Sequence, residues 1–138
     1  MNVRRYLAAT LAVFVVSVGL GYVVNGVLLQ STYASIHGVW RPDILSKMWI
    51  NAVNDFILSF VFVYLFAKGY EGQGMLEGVR FGLLMGLVFA IPAAYGTYVI
   101  IPVPYYLALE WFLYGMAQTV IIGMVAAAIY KPAERPAT

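Results

Sequence analysis

The sequence predicts an all-α membrane protein: an antiparallel up-down bundle of four transmembrane helices that forms one domain over residues 1–138. Composition is the first reason, because 63% of the residues are hydrophobic and 10% are charged, whereas about a quarter are charged in soluble proteins. A soluble domain of this length has too much surface for its volume to bury so many apolar side chains. The second reason is the distribution of the apolar residues, which fall into four long runs with short polar connections between them.

Each apolar run is long enough to cross a bilayer, since a transmembrane helix needs about 20 mostly apolar residues. The first run exceeds the ~7–15 residues of a signal-peptide core, so we expect it to remain as a span although Arg4 and Arg5 precede it.

Short second and third connections predict antiparallel neighbours, and only the first connection, about Gln30 to Met48, has room for a lid or an interfacial helix. The spans run from about Leu7 to Leu29, Trp49 to Phe66, Leu76 to Ile101 and Tyr105 to Tyr130.

The Lys and Arg residues near the span ends predict the orientation, because cytoplasmic loops carry an excess of them. Two, Arg41 and Lys47, lie on the side of the first connection. The other six basic residues lie on the side of the termini, which is predicted to be cytoplasmic: Arg4, Arg5, Lys68, Arg80, Lys131 and Arg135.

A net charge of +2 is too small to indicate a nucleic acid as partner, so the predicted partner is the lipid bilayer.

Three short stretches carry a resemblance to known proteins. They are Gly38-Val39-Trp40-Arg41-Pro42, Glu77-Gly78-Val79-Arg80-Phe81-Gly82-Leu83 and Ile129-Tyr130-Lys131-Pro132. Over nearly its whole length the chain resembles a family of small bacterial four-span membrane proteins of unknown function. The resemblance implies a bundle in a bacterial inner membrane; it implies no activity and no catalytic residue.

The third span carries a ridge of small residues at every fourth position: Gly78, Gly82, Gly86, Ala90 and Ala94. Small residues let helix backbones approach closely, and close packing drives helix association in lipid, where no hydrophobic effect acts between helices. The ridge is therefore predicted to be a packing interface. Its partner is either another helix of the same bundle or a second subunit, in a homo-oligomer or a larger membrane complex.

Polar side chains at membrane depth are concentrated near the first connection and predict a pocket there. Those of the second span, and those of the fourth, recur every three or four residues and so share one helix face. A rise of about 1.5 Å per residue places Asp55 and Glu110 at a similar depth, roughly 9 Å below the span ends. We expect one outward-facing pocket formed by Asn25, Asn51, Asn54, Asp55, Tyr95, Glu110, Tyr114 and Gln118.

Two carboxylates at one depth need an explanation, because an unpaired charge in lipid is costly and usually functional. One interpretation is a structural hydrogen-bond network capped by Arg41 from the first connection. A second is a pocket that binds or passes a small polar solute or cation, with Asp55 and Glu110 carrying the cation. A third is a membrane enzyme acting on a lipid or isoprenoid substrate, with the same two carboxylates as acid and base. The sequence favours a non-enzymatic protein, and we assign no catalytic residue.

The residue inventory argues against cofactor and metal chemistry. The chain has no cysteine, which excludes disulfides, thiolate metal sites and thiol redox chemistry. Its one histidine, His37, cannot supply both ligands of a bis-histidine haem, and its spacing from Asp55 and Glu110 gives no support to a zinc site. The sequence contains no phosphate-binding glycine motif and no HExxH motif. We therefore predict neither a cofactor nor a metal.

A reporter enzyme that is active only in the periplasm, fused after Thr138, should remain silent because both termini are predicted to be cytoplasmic. The same reporter inserted between His37 and Gly38, in the first connection, should be active. Activity of the Thr138 fusion would contradict the orientation and move the pocket to the cytoplasmic side.

Overall fold

In a computed structural model, which describes residues 2–130, the chain forms four long helices and one short helix, with no strand in that range. The predicted all-α four-helix fold is confirmed. By length and composition all four long helices are able to cross a membrane, as in a multi-pass membrane protein. Helix α1 spans Val3–Val23 and continues as a π-helical turn over Val24–Leu28; α2 spans Gln30–Ser35, α3 Ile44–Lys68, α4 Met75–Ile100 and α5 Tyr105–Ile129.

Helix α3 begins at Ile44 rather than at the predicted Trp49. Its first turn contains Ser46 and Lys47, which are too polar for a hydrophobic span but are compatible with a helix. The Ser46 hydroxyl donates to the Asp43 carbonyl oxygen at 2.7 Å, which closes this turn. The helix therefore extends beyond the apolar run from which the span was predicted.

A tight turn over residues 69–74 joins α3 to α4. Gly72 and Gly74 adopt φ angles of 75° and 76°, a left-handed conformation that favours glycine. The Glu77 carboxylate, in the first turn of α4, accepts hydrogen bonds from the backbone N–H groups of Glu71 at 2.6 Å and Gln73 at 3.1 Å. A carboxylate near a helix N-terminus also complements the helix dipole, so Glu77 orders the turn and stabilises the start of α4.

The two ends of the bundle are packed differently. The terminal end, which holds the N-terminus and the turn 69–74, has a closed core built by α1, α3 and the end of α5. The lid end holds the lid, residues 24–43, and the connection 101–104, and has a smaller separate apolar cluster. The core of the terminal end consists of Tyr6, Ala9, Val13, Phe62, Val63, Phe66, Ala126, Ala127 and Tyr130.

Consecutive helices are not all closely packed. Helix α4 packs most closely on α5, and α1 packs on both α3 and α5. The short turn joins α3 to α4, but they meet through aromatic rings, with the Phe81 ring centroid 4.8 Å from that of Phe62 and 5.5 Å from that of Phe66. Rings of this size hold the two backbones apart. The short connection 101–104 therefore joins two closely packed helices, α4 and α5. The short turn 69–74 joins α3 and α4, which are not closely packed.

The small-residue ridge of α4 lies against α5 of the same chain, and all five of its residues are buried. A Cβ atom added to Gly78 would collide with the carbonyl oxygen of Gly123. One added to Gly82 would collide with the Thr119 carbonyl oxygen and lie 2.6 Å from the Val120 Cα. Both collisions are with backbone atoms, so only glycine permits this approach. The sequence leaves open whether the ridge packs on a helix of the same bundle or on a second subunit. The structure shows it packed on a helix of the same chain.

Helix α3 is closely packed only in the half nearest the terminal end. Its buried residues are Ser59, Phe62, Val63 and Phe66, and no side chain from position 44 to position 58 is buried. Toward the lid end α4 and α5 still contribute buried side chains, among them Ala94 and Leu107. The lid half of α3, residues 44–58, contacts α1 through the Phe56 ring on Phe14, but it is loosely packed and leaves one side of the bundle open.

Three glycine-to-alanine substitutions on α4 should separate backbone collisions from side-chain collisions. Gly82→Ala should destabilise the protein by about 1–3 kcal/mol, the usual cost of overpacking, because its methyl group meets the α5 backbone. Gly86→Ala should cost less, since its methyl group would meet side-chain atoms rather than backbone, 2.5 Å from Thr119 Oγ1 and 2.6 Å from the Met116 sulfur. Gly96→Ala is the matched control, with no atom within 4 Å of the added carbon. Thermal unfolding in detergent is the measurement, and equal melting temperatures for the Gly82 and Gly96 variants would contradict the backbone contact.

Candidate binding cleft

A chain of hydrogen bonds centred on Tyr33 fixes the lid to α1 and α5. The Trp111 indole N–H on α5 donates to the Tyr33 hydroxyl oxygen at 2.7 Å, and that hydroxyl donates to Asn25 Oδ1 at 2.6 Å. The Asn25 amide nitrogen donates to the Gly21 carbonyl oxygen at 3.1 Å. The Trp40 indole N–H donates to the Tyr33 carbonyl oxygen at 3.2 Å. Tyr33 thus joins three separate segments of the chain.

The electrostatic environment keeps Tyr33 a hydrogen-bond donor. Burial raises the pKa of Tyr33 above its ordinary value of 10.0; the hydrogen bond from Trp111 opposes this, and the negative charge of Glu110 adds to it. Tyr33 lies in α2, beyond the end of the first membrane-spanning helix. Its hydroxyl is therefore protonated at physiological pH and able to donate to Asn25.

The π-helical turn sets the position of Asn25. In this turn the Leu29 N–H donates to the Val24 carbonyl oxygen, five residues earlier, at 2.8 Å. Single π-helical turns are rare and occur frequently at functional sites. A short polar side chain that bonds to a backbone carbonyl competes with the helix ladder, and the bond from Asn25 to Gly21 does so where α1 widens.

Four apolar side chains support the hydrogen-bond network from beneath. Leu29 of the lid and Leu107 of α5 are 1% and 0% exposed, and Val24 and Val103 complete the cluster. Burying side chains of this size contributes about 1.5–3 kcal/mol each relative to exposure in water. This cluster gives the lid a fixed position on α5.

A cleft of about 370 Å³ lies beneath the lid. Its walls come from the π-helical turn, the lid-end part of α4 and the middle of α5, while no described residue of α3 lines it. In a closed four-helix bundle α3 would fill that side, but here its lid half is loosely packed. The lining residues are Val24, Asn25, Trp40, Ala90, Ala93, Ala94, Thr97, Ile101, Trp111, Tyr114, Gly115 and Gln118.

Several polar groups of the cleft are already hydrogen-bonded within the chain. The indole N–H groups of Trp40 and Trp111 both donate to Tyr33. The Thr97 hydroxyl donates to the Ala93 carbonyl oxygen at 2.6 Å. These side chains therefore give the cleft shape and aromatic surface rather than free donors.

Two polar side chains of the cleft, Tyr114 and Gln118, have no hydrogen-bond partner within residues 2–130. They are four residues apart on α5, so one lies above the other on the same helix face. Together they offer a phenol hydroxyl, an amide NH₂ group and an amide carbonyl oxygen. No Lys, Arg, Asp or Glu is among the described lining residues, so the cleft is mostly apolar, with a few polar groups and no charge.

Three of the eight predicted pocket residues line the cleft, and five do not. Tyr95 points away from it: the Tyr95 hydroxyl is 3.4 Å from that of Tyr105, and its ring centroid is 6.1 Å from that of Phe112. Glu110 is half-buried near Tyr33, above the cleft. The residues that line the cleft are Asn25, Tyr114 and Gln118; those outside it are Asn51, Asn54, Asp55, Tyr95 and Glu110.

The structure does not bring Asp55 and Glu110 together in the cleft. Neither carboxylate lines it. Next to Asp55, the Phe56 ring packs on Phe14 of α1 with 5.6 Å between centroids. A joint role of the two carboxylates, in carrying a cation or as acid and base, stays a prediction.

Arg41 does not cap the polar residues of the helices, and that expectation was wrong. Its Nε atom lies 3.0 Å from Asp43 Oδ1, and the two side chains are 68% and 45% exposed. A partner two residues away in the same loop is nearer than any carboxylate at membrane depth. This exposed ion pair belongs to the lid surface and contributes little to stability.

Sequence reasoning missed Tyr33, Trp40, Thr97 and Trp111. Trp111 could have been found, because it shares the spacing i, i+3, i+7 with Tyr114 and Gln118 on one face of α5. The positions of Tyr33 and Trp40 depend on how the lid folds back, for which the sequence has no periodic signal.

Within residues 2–130, no group of three His, Cys, Asp or Glu side chains is placed to hold a metal ion.

Comparisons of the chain with protein-family models, with curated proteins and with solved structures found no match. The resemblance carried by three short stretches therefore has no family model in support of it. Any function for this cleft has to be argued from its geometry.

Tyr33→Phe should lower the stability of the protein by about 1–2 kcal/mol, because it leaves Asn25 Oδ1 and the Trp111 N–H without their partner. Tyr22→Phe is the matched control, since Tyr22 is 71% exposed on α1. The contribution of the Tyr33 hydroxyl should be constant below pH ~10 and be lost as the pH rises through its raised folded-state pKa, because the unfolded chain releases this proton first. Thermal unfolding of both variants from pH 6 to 11, a range about that ordinary pKa, tests this. Equal melting temperatures would contradict the network.

Proposed function

We propose that this chain is a small multi-pass protein of a bacterial inner membrane that binds a small uncharged polar solute in the cleft beneath the lid. The observation that carries the proposal is Gln118, an amide near the middle of a membrane-spanning helix that lines the cleft and has no partner within residues 2–130. In this proposal the lid end faces away from the cytoplasm and both termini lie inside.

The depth of Gln118 makes its missing partner informative. It lies thirteen residues after Tyr105 and eleven before Ile129, so about 20 Å and about 16 Å of helix separate it from the two ends of α5. An amide in an apolar environment without a hydrogen bond costs roughly 2–7 kcal/mol, depending on the reference state. A polar molecule in the cleft removes that cost, which supports a binding role for this side chain.

The lining also indicates what kind of solute fits. Tyr114 and Gln118 offer donors and acceptors to a neutral group, and the aromatic side chains of Trp40 and Trp111 offer flat apolar surface. A cation would find no counter-charge in the lining, since Asp55 and Glu110 lie outside it. The cleft therefore favours an uncharged molecule over the cation that the sequence left open.

Binding is better supported than passage through the membrane. Toward the terminal end the cleft narrows where α4 meets α5: a Cβ added to Gly115 would lie 3.0 Å from the Ala90 Cβ. Further along, the backbones of the two helices touch at Gly82 and Thr119. Beyond them lies the closed core of the terminal end. A solute entering from the lid end thus meets a packed floor.

Orientation in the proposal depends on the basic residues. Arg4 and Arg5 lie in the first turn of α1, Lys68 ends α3, and Arg80 lies in the second turn of α4, all at the terminal end. Lys131 and Arg135, which also entered the prediction, lie outside the described residues. The four described residues support a cytoplasmic terminal end by the positive-inside rule.

Gln118→Leu and Tyr114→Phe should each weaken solute binding about tenfold, the effect of losing roughly 1.4 kcal/mol, because a hydrogen bond to the solute disappears. Two of the three tryptophans line the cleft, so fluorescence of a Trp49→Phe background reports binding. The probes are glycerol, urea and glucose, with guanidinium and acetate as charged counterparts.

The matched control for this experiment is Gln73→Leu, in the exposed turn at the opposite end. It should bind the probes like the Trp49→Phe background. If no uncharged probe changes the fluorescence, or if the charged probes bind as well, the proposal fails. Equal effects of the Gln73 and Gln118 variants would also exclude Gln118 as a ligand.

A further inference from the structure

The lid half of α3 packs on α1 through the Phe56 ring but buries none of its side chains among the described residues. No side chain from position 44 to position 58 is buried, and Leu45 and Trp49 are 84% and 66% exposed. Apolar side chains there suit lipid, and by themselves they would indicate nothing more. The polar residues of the same segment do not suit lipid.

Asn51, Asn54 and Asp55 form a polar patch on this segment, spaced i, i+3, i+4 and so on one side of the helix. Asp55 lies about 16 Å along α3 from Ile44, well inside the span. The Asn51 amide reaches only the Met48 sulfur, a weak acceptor, at 3.8 Å. The side chains of Asn54 and Asp55 make no hydrogen bond within residues 2–130.

We infer that this polar patch is the contact surface for a second copy of the same chain, in a dimer whose two-fold axis runs along the membrane normal. Ionisable residues inside a membrane almost always pair or face a protein interior. The described chain half-buries Asp55 but gives its carboxylate no hydrogen-bond partner. A second copy supplies that partner.

The patch is complementary to itself, which is what a two-fold contact requires. Its two amides donate hydrogen bonds and its carboxylate accepts them. About a two-fold axis along the membrane normal, equivalent residues of both copies lie at one depth. Asn54 of one copy and Asp55 of the other then differ in depth by about 1.5 Å, one residue of helix rise. Each carboxylate thereby meets an amide of the second copy, and both patches are satisfied at once.

This surface is separate from the cleft, since no described residue of α3 lines the cleft. The inference therefore does not depend on the proposed function. Gln118→Leu should leave association unchanged, so that failure of either idea can be told from failure of the other.

The absence of cysteine allows a direct crosslinking test in native membranes. Asn51→Cys, oxidised with copper phenanthroline, should give a disulfide-linked species at twice the 15.2 kDa chain mass. Leu113→Cys on α5 is the control: its side chain is 55% exposed, and it lies about 12 Å from the start of its helix, against about 10 Å for Asn51. It should remain monomeric.

In the Asn51→Cys background, Asp55→Leu should weaken association about tenfold through loss of interhelical hydrogen bonds. Asp55→Asn, which keeps an acceptor at that position, should retain it. An adduct of any other mass would identify a foreign partner and overturn the inference. So would no crosslink, equal crosslinking of the Leu113 control, or an unchanged yield in the Asp55→Leu variant.

Discussion

In lipid no hydrophobic effect draws helices together, so α4 and α5 associate through the close approach of their backbones at Gly78, Gly82 and Gly123. The other helices are arranged around this pair. Helix α1 packs on α5, and α3 packs on α1 and touches α4 only through aromatic rings. Because the pair fixes α5, it also fixes the face that carries Trp111, Tyr114 and Gln118. The position of this side of the cleft therefore depends on the glycine contact between α4 and α5.

The bundle divides stability and polarity between its two ends. The terminal end has a closed apolar core with aromatic rings packed edge to face. The lid end has a small apolar cluster, a hydrogen-bond network around Tyr33 and an open side. A fully packed bundle would have no space for a ligand. Space for a ligand exists at the polar, less packed end. The packed end stabilises the fold and so allows the other end to remain open.

The number and order of the spans could be predicted because membrane thickness and hydropathy determine them together, whereas α3 extends beyond its apolar run. The ridge from Gly78 to Ala94 could also be predicted as a packing face, since its spacing fixes one side of a helix. Periodicity does not say which helix that side meets. For the same reason Asp55 could be placed on a face and at a depth, but that it lies outside the cleft could not be predicted. The position of the lid could not be predicted, because it depends on a contact between Tyr33 and Trp111, which are distant along the chain.

The π-helical turn at Val24–Leu28 has a consequence for how the sequence can change over evolution. Inserting one residue into a regular α-helix rotates everything beyond it by about 100°, which would turn an apolar face away from its partner. A π-helical turn accommodates one additional residue locally, so Val3–Val23 keeps its register against α3 and α5 while the segment after it is shifted. The lid can therefore gain or lose a residue without rebuilding the core of the terminal end. Selection can act on the covering of the cleft and on the bundle as two nearly independent parts.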